Sequence, residues 1–268
     1  MPVQLRTIDR FHNQFVGSSI LPEFMMKHQI IAIAILLLSS SWSCQKFHLN
    51  LSGCDIDLNP DDVYSFPLVP GTPQWAELKS GDEQFVATQV PEMTAKKMST
   101  DGLIETWLNY PLNGTALAHN SLSFWYNGHK ERFNALRELI SRGDASCKCL
   151  SRFESIEPNQ ANSLSGYVPL AVLVSDYELL DDLSKEQEKF LIRLARANYD
   201  VMIQDPKEIV RFNANYNLWI CARAMAHLKY QPFIDATEQS DLLKAYLDNG
   251  MRLGVDDARQ IAELARAF

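Results

Sequence analysis

Beyond Trp75 apolar residues recur at three- and four-residue spacing almost to the end of the chain, and strict apolar–polar alternation is nearly absent. That period puts side chains on one face of a helix, so it predicts helices rather than strands. Short helices are expected from Pro73-Gln74-Trp75 and from Asp82 to Val90. Ser99-Thr100-Asp101 predicts a cap for a helix over Gly102 to Tyr110, with Leu103, Ile104, Trp107 and Leu108 on one face. A longer helix is read from about Ser123 to Arg142, stopped by Gly143, with Asp144 placed to cap the next through Cys147, Leu150 and Phe153.

The C-terminal half carries stronger signals. An apolar helix is expected over Tyr167 to Leu183, and Ser184-Lys185-Glu186-Gln187 has the spacing of a capping box for a helix reaching about Gln204. Asp205-Pro206 reads as a cap with proline at the first helical position, opening a long helix to Leu228 or Lys229. Two further helices are read near Glu238–Asn249 and Asp256–Ala267. The expected fold is all-α, built of antiparallel helix pairs with short loops and compatible with a layered helical array.

The N-terminal quarter breaks this pattern. Met25-Met26-Lys27-His28-Gln29 precedes the nine-residue apolar run Ile30 to Leu38, and Ser39-Ser40-Ser41-Trp42-Ser43-Cys44 follows. At about 1.5 Å per residue the run covers less than half of a ~30 Å hydrocarbon core, but it matches the apolar part of a secretory signal. Ser43-Cys44 suggests the lipoprotein type of signal, in which lipid is attached at Cys44, although Ser41 stands where an aliphatic residue is usual. Translation is expected to start at Met25 or Met26, with residues 1–24 as an upstream extension. The organisation read from the chain is thus 1–43 extension plus signal, 44–73 tether and irregular lead-in, and 74–268 a single helical domain, with a subdivision conceivable near 157–166. The lead-in carries Pro60, Pro67, Pro70 and Pro73, and its Val63–Val69 part is expected to lie along the domain.

Charge narrows the partners. Without residues 1–43 the chain keeps 22 basic and 31 acidic side chains, a net charge of −9, which disfavours nucleic acid and anionic lipid. Cys54, Cys147, Cys149 and Cys221 remain after Cys44. In an oxidising envelope they could pair in three ways, but Cys147 and Cys149 are too close to pair simply and Cys221 sits in an apolar helix. No metal, no cofactor and no obligatory disulfide are expected.

Several stretches between residues 66 and 156 resemble a family. Val69-Pro70-Gly71 with Trp75 and Leu78, Gln89-Val90-Pro91, Met98-Ser99-Thr100, Leu103-Ile104-Glu105-Thr106, Tyr110-Pro111-Leu112 and Phe133 through Leu139 are similar to uncharacterised envelope lipoproteins, many from Bacteroidetes. The resemblance implies a mostly helical fold and an envelope address, and carries no established activity.

Candidate chemistry is sparse. The acidic run Asp55-Ile56-Asp57-Leu58-Asn59-Pro60-Asp61-Asp62 suggests calcium, yet Pro60 stands where a calcium loop needs glycine and Phe66 where it needs glutamate, so a solvated linker is expected. His119, His129 and His227 are scattered and are expected on loops or the surface, without HExxH, GxSxG or a glycine-rich phosphate loop. Arg211, Asn213, Tyr216 and Asn217 form the sharpest constellation. Asn213 and Asn217 share a helix line with Ile209, Ile220 and Ala224, so they should face packed neighbours, either as internal hydrogen-bonding groups or as a polar pocket with Arg211 and Tyr216. The expected role is a non-enzymatic, lipid-anchored envelope protein that binds a protein or polymer partner, held to the membrane by its lipid and with no nucleic acid. An envelope hydrolase and a structural subunit are the alternatives, as is a soluble periplasmic or secreted form should Cys44 carry no lipid.

Overall fold

A computed structural model describes residues 54–158, 164–250 and 253–268. The signal-like segment and Cys44 lie outside the described residues. Every regular element among those described is helical, as the apolar period predicts. The first group is α1 (Pro73–Ala76), α2 (Gly81–Ala87), α3 (Glu92–Lys97), α4 (Thr100–Leu108), α5 (Leu122–Arg132), α6 (Asn134–Ile140) and α7 (Ala145–Glu154). The second is α8 (Leu164–Val174), α9 (Tyr177–Asp181), α10 (Lys185–Met202), α11 (Glu208–His227), α12 (Gln231–Gln239), α13 (Asp241–Asn249) and α14 (Val255–Ala265). Short 3-10 turns occupy Pro60–Asp62 and Asn113–Ala118.

Two helices organise the core. In α8 Tyr167, Val168 and Leu170 through Val174 are all buried, as expected for a helix that is apolar on every side. It packs against α4 and α7 of the first group and against α11 of the second. α11 in turn forms an antiparallel hairpin with α10 and is also touched by α9, α12, α13 and α14. Its buried positions run around the helix from Val210 to Met225. The capping box is present as read: Ser184 accepts from the Gln187 amide and the Gln187 side chain accepts from the Ser184 amide.

Two helices read as single from the sequence are broken by tertiary demands. The expected 123–142 helix is interrupted at Phe133, whose backbone is extended. Its buried ring stacks on Tyr110 with centroids 4.0 Å apart, and the freed Asn134 amide donates to Gln89 Oε1 at 3.1 Å. The Asn134 side chain also brackets Val90, accepting from its amide and donating to its carbonyl. The 167–183 helix stops at Ser175, and Asp176 restarts the chain as the cap of α9 by accepting from the Glu178 amide. Near the C-terminus the expected 238–249 helix is preceded by α12, and Ser240 caps α13 by accepting from Leu243. The Asp205-Pro206 start is displaced by two residues: Asp205 accepts from the Lys207 amide in a local turn, and α11 begins at Glu208.

The lead-in from Cys54 is a strap against the first helical group. Cys54 is cross-linked to Cys147, with Cα atoms 5.4 Å apart. Of the pairings left open by the sequence, none of them expected to be obligatory, the structure forms this one. Lys148 donates to the Asp55 carbonyl and pairs with Asp101 at 2.9 Å, and the Asp57 amide also donates to Asp101. Asp62 accepts from the Ser99 amide at 2.7 Å, the Tyr64 amide donates to Thr106 Oγ1, and Phe66 lies against Tyr110 and Phe133. The acidic run expected as a solvated linker therefore supplies caps and acceptors to the strap and to α4.

Gly102 is where the strap comes closest. A Cβ there would stand 2.5 Å from the Asp62 carbonyl oxygen. On a free helix surface Gly→Ala gains about 1 kcal/mol, whereas overpacking of this kind costs roughly 1–3 kcal/mol. Gly102→Ala is therefore expected to destabilise the protein in urea unfolding, and a stabilising result would show that the strap does not rest on α4.

Candidate functional site

The four residues singled out on α11 take two different positions. Arg211 is exposed in the first turn, where Nη1 donates to the Asp205 and Pro206 carbonyls at 2.8 Å each and closes the loop before the helix. Asn213, Tyr216 and Asn217 are buried. Asn217 accepts from the Tyr167 hydroxyl at 2.7 Å and its amide lies 3.2 Å from the Met202 sulfur, joining α8, α10 and α11 inside the core. Burial pushes the Tyr216 phenol up to about 12. Asn217 and Tyr167 thus act as an internal polar pair that fixes how these helices meet, while the Arg211 guanidinium is occupied at the loop.

Histidines expected on loops or the surface turn inward in two cases. His129 is only 4% exposed, enclosed by Trp125, Phe85 and Tyr110 with ring centroids at 4.8, 5.1 and 5.7 Å. Its Nδ1 faces the Trp125 carbonyl at 2.7 Å, so the neutral ring donates from Nδ1. Burial drives its pKa down to about 4. Because the unfolded ring titrates near 6.5, stability linked to His129 is complete above that value and is lost as pH falls towards 4. The loss should approach about 3 kcal/mol. Melting midpoints at neutral and acid pH check this: His129→Phe should show a smaller acid-induced drop than the wild type, and an equal drop would remove His129 as a source.

The second inward histidine lies at a polar seam around α9. His227, in the last turn of α11, sits between Glu188 of α10 at 2.7 Å and Asp181 of α9 at 2.9 Å. The Tyr177 ring stacks beside it and also lies 3.9 Å from the Arg223 guanidinium. Arg223 donates to the Ser175 carbonyl at 2.7 Å, and Lys130 pairs with Asp176 and Glu178 at 2.9 and 3.0 Å. Each of these charged groups already has a partner of opposite charge or a carbonyl. Sequence reasoning missed this cluster because its members come from α5, α9, α10 and α11, and nothing local joins them.

The free thiols are not set up as nucleophiles. Cys149 and Cys221 are both buried, and burial pushes both pKa values up, that of Cys221 to about 12. A reactive cysteine needs the opposite environment, a cationic and accessible one. Cys221 instead packs as a small core residue, with its sulfur 3.6 Å from the Ile192 carbonyl. Among the described residues no group of three or more His, Cys, Asp or Glu side chains is arranged to hold a metal ion.

A cleft of about 320 Å³ opens between the strap and α3, lined by Asp61, Val63, Tyr64, Thr94, Lys97 and Met98 among others. It offers backbone and side-chain polar groups over an apolar floor at Met98, which is buried. Such a surface can hold a ligand by contact, with Asp61, Asp62 and Lys97 as the charged side chains of its lining. No family model, curated protein or solved structure matches this chain.

Proposed function

We propose that this chain is a lipid-anchored protein of the bacterial cell envelope that presents its helical domain to a protein or polymer partner without catalysing a reaction. The observation that carries the reading is the Cys54–Cys147 cross-link, ten residues beyond Cys44. Structural disulfides form and persist in oxidising compartments such as the periplasm. A cross-link at this point joins the residues following the signal-like segment to the body of the domain, which suits a domain carried on a short leash.

The proposal includes kinship with the envelope lipoproteins that residues 66–156 resemble. Most of the residues behind that resemblance serve the fold. Leu103, Ile104, Tyr110, Leu112 and Phe133 are core side chains. Ser99 caps α4 and Thr106 receives the Tyr64 amide of the strap. A shared pattern of this kind marks a shared scaffold and leaves the partner to each protein.

Expression of the full chain in a bacterium, followed by intact mass measurement and thiol labelling, tests the reading. The expected product begins at Cys44, carries acyl chains that the Cys44→Ala variant lacks, and has Cys54 and Cys147 unreactive until reduced. A cytosolic product that keeps Arg6 and Arg10 and has five reactive thiols after denaturation would overturn it. A cleaved but unacylated product would retain export and remove the anchor.

A further inference from the structure

His227 is held in a way that requires a proton. Both ring nitrogens face carboxylate oxygens, Nδ1 towards Glu188 and Nε2 towards Asp181. Ionised carboxylates only accept, and a neutral imidazole has one N–H to give. The bridge therefore exists only when the His227–Glu188 pair carries an additional proton, whichever of the two holds it.

The groups around the ring come from three helices. α10 contributes Glu188, with Lys185 close to that carboxylate; α9 contributes Asp181 and Tyr177; α11 itself contributes Arg223, which faces Tyr177. Burial alone would lower the His227 pKa, but its contacts with Asp181 and Glu188 outweigh burial and hold it above the ordinary histidine value. Burial raises Glu188 against the pull of His227.

The two carboxylates differ in their access to water. Glu188 has 4% of its side chain exposed and Asp181 has 75%. When the additional proton leaves, the single remaining N–H stays with Glu188, because an unpaired buried carboxylate costs far more than a hydrated one. Asp181 is then free. It ends α9, a five-residue helix too short to persist without tertiary contacts. The other end of α9 remains tied, with Lys130 on Asp176 and Glu178 and Arg223 on the Ser175 carbonyl.

We propose that the His227 bridge is a proton-loaded clasp, which fastens the Asp181 end of α9 to the α10–α11 hairpin and lets that end go when the proton is lost. Leu179 and Leu180, which α9 buries against the core, become the side chains whose cover depends on pH. The clasp is closed on the acid side and opens as pH rises through the histidine range and above it.

Amide hydrogen exchange of the full chain, corrected for the intrinsic rate and followed on peptides covering residues 176–183, tests this. Between about pH 6 and about pH 9 protection of α9 should fall at least about tenfold while that of α8 and α11 holds. His227→Lys, which keeps its charge across this range and can donate to both carboxylates, should keep α9 protected at both values. His227→Gln should leave α9 open at the lower one. Asp181→Ala removes only an exposed partner, so it should open α9 at about pH 6 with little change in melting temperature, and it serves if His227→Gln does not fold. Protection of α9 that is independent of pH in the wild type, a pH-dependent loss that persists in His227→Lys, or full protection in Asp181→Ala at about pH 6 would each overturn the clasp.

Discussion

Cys54→Ser and Cys147→Ser are each expected to lower the unfolding free energy by about 2–5 kcal/mol. The two cysteines are 93 residues apart, so their cross-link removes a large loop from the unfolded ensemble. The native state loses little by comparison, since the strap keeps the Lys148 contacts, the Asp57–Asp101 bond and the Asp62 cap. Three features distinguish this account from a local packing defect. The double variant should match either single one, because one bond is lost in all three. Reductant should bring the wild type down to the same midpoint and leave the variants unmoved. Cys149 and Cys221, buried and with raised thiol pKa values, should not form replacement pairs in the folded protein. Equal denaturation midpoints for oxidised wild type and Cys54→Ser would contradict it.

The helical class and most helix positions are written in local signals. Ser99, Ser184 and the three-and-four spacing act within one or two turns, and the elements they predict are present. The breaks at Phe133 and Asp176 are not local. Each occurs where a side chain serves a distant partner, the Phe133 ring on Tyr110 and the Asp176 carboxylate on Lys130. Periodicity alone could not weigh those contacts against continued helix. The same limit explains the disulfide: the spacing sets Cys147 and Cys149 too close to pair simply, but nothing in the sequence brings Cys54 to Cys147. His129 was more accessible to inspection, since Trp125, His129 and Phe133 fall four apart and a histidine on that line belongs to the apolar face. The α11 constellation was legible in orientation only. Asn213 and Asn217 point inward as the helix line required, while Arg211 is engaged by the loop that displaces the start of the helix.

Trp107→Ala should cost about 3–5 kcal/mol, the range for removing a large aromatic from a closed core. The indole is fully buried on α4 and touches Tyr110, Trp125, Tyr126, His129 and Phe133. Its Nε1 donates to the Pro169 carbonyl at 3.0 Å, in the middle of α8. That bond crosses between the two central packing groups, at the proline where α8 already lacks one amide donor. Trp107→Phe separates the two contributions, since it keeps most of the ring contact and deletes the donor. Its cost should fall near the ~0.5–1.5 kcal/mol of one net hydrogen bond, because the Pro169 carbonyl remains an acceptor for the α8 backbone. Urea unfolding followed by far-ultraviolet circular dichroism gives both values. If Trp107→Phe proved as damaging as Trp107→Ala, the hydrogen bond to α8 would dominate. If it were neutral, the contacts of the aromatic cluster would account for the whole of the Trp107→Ala loss.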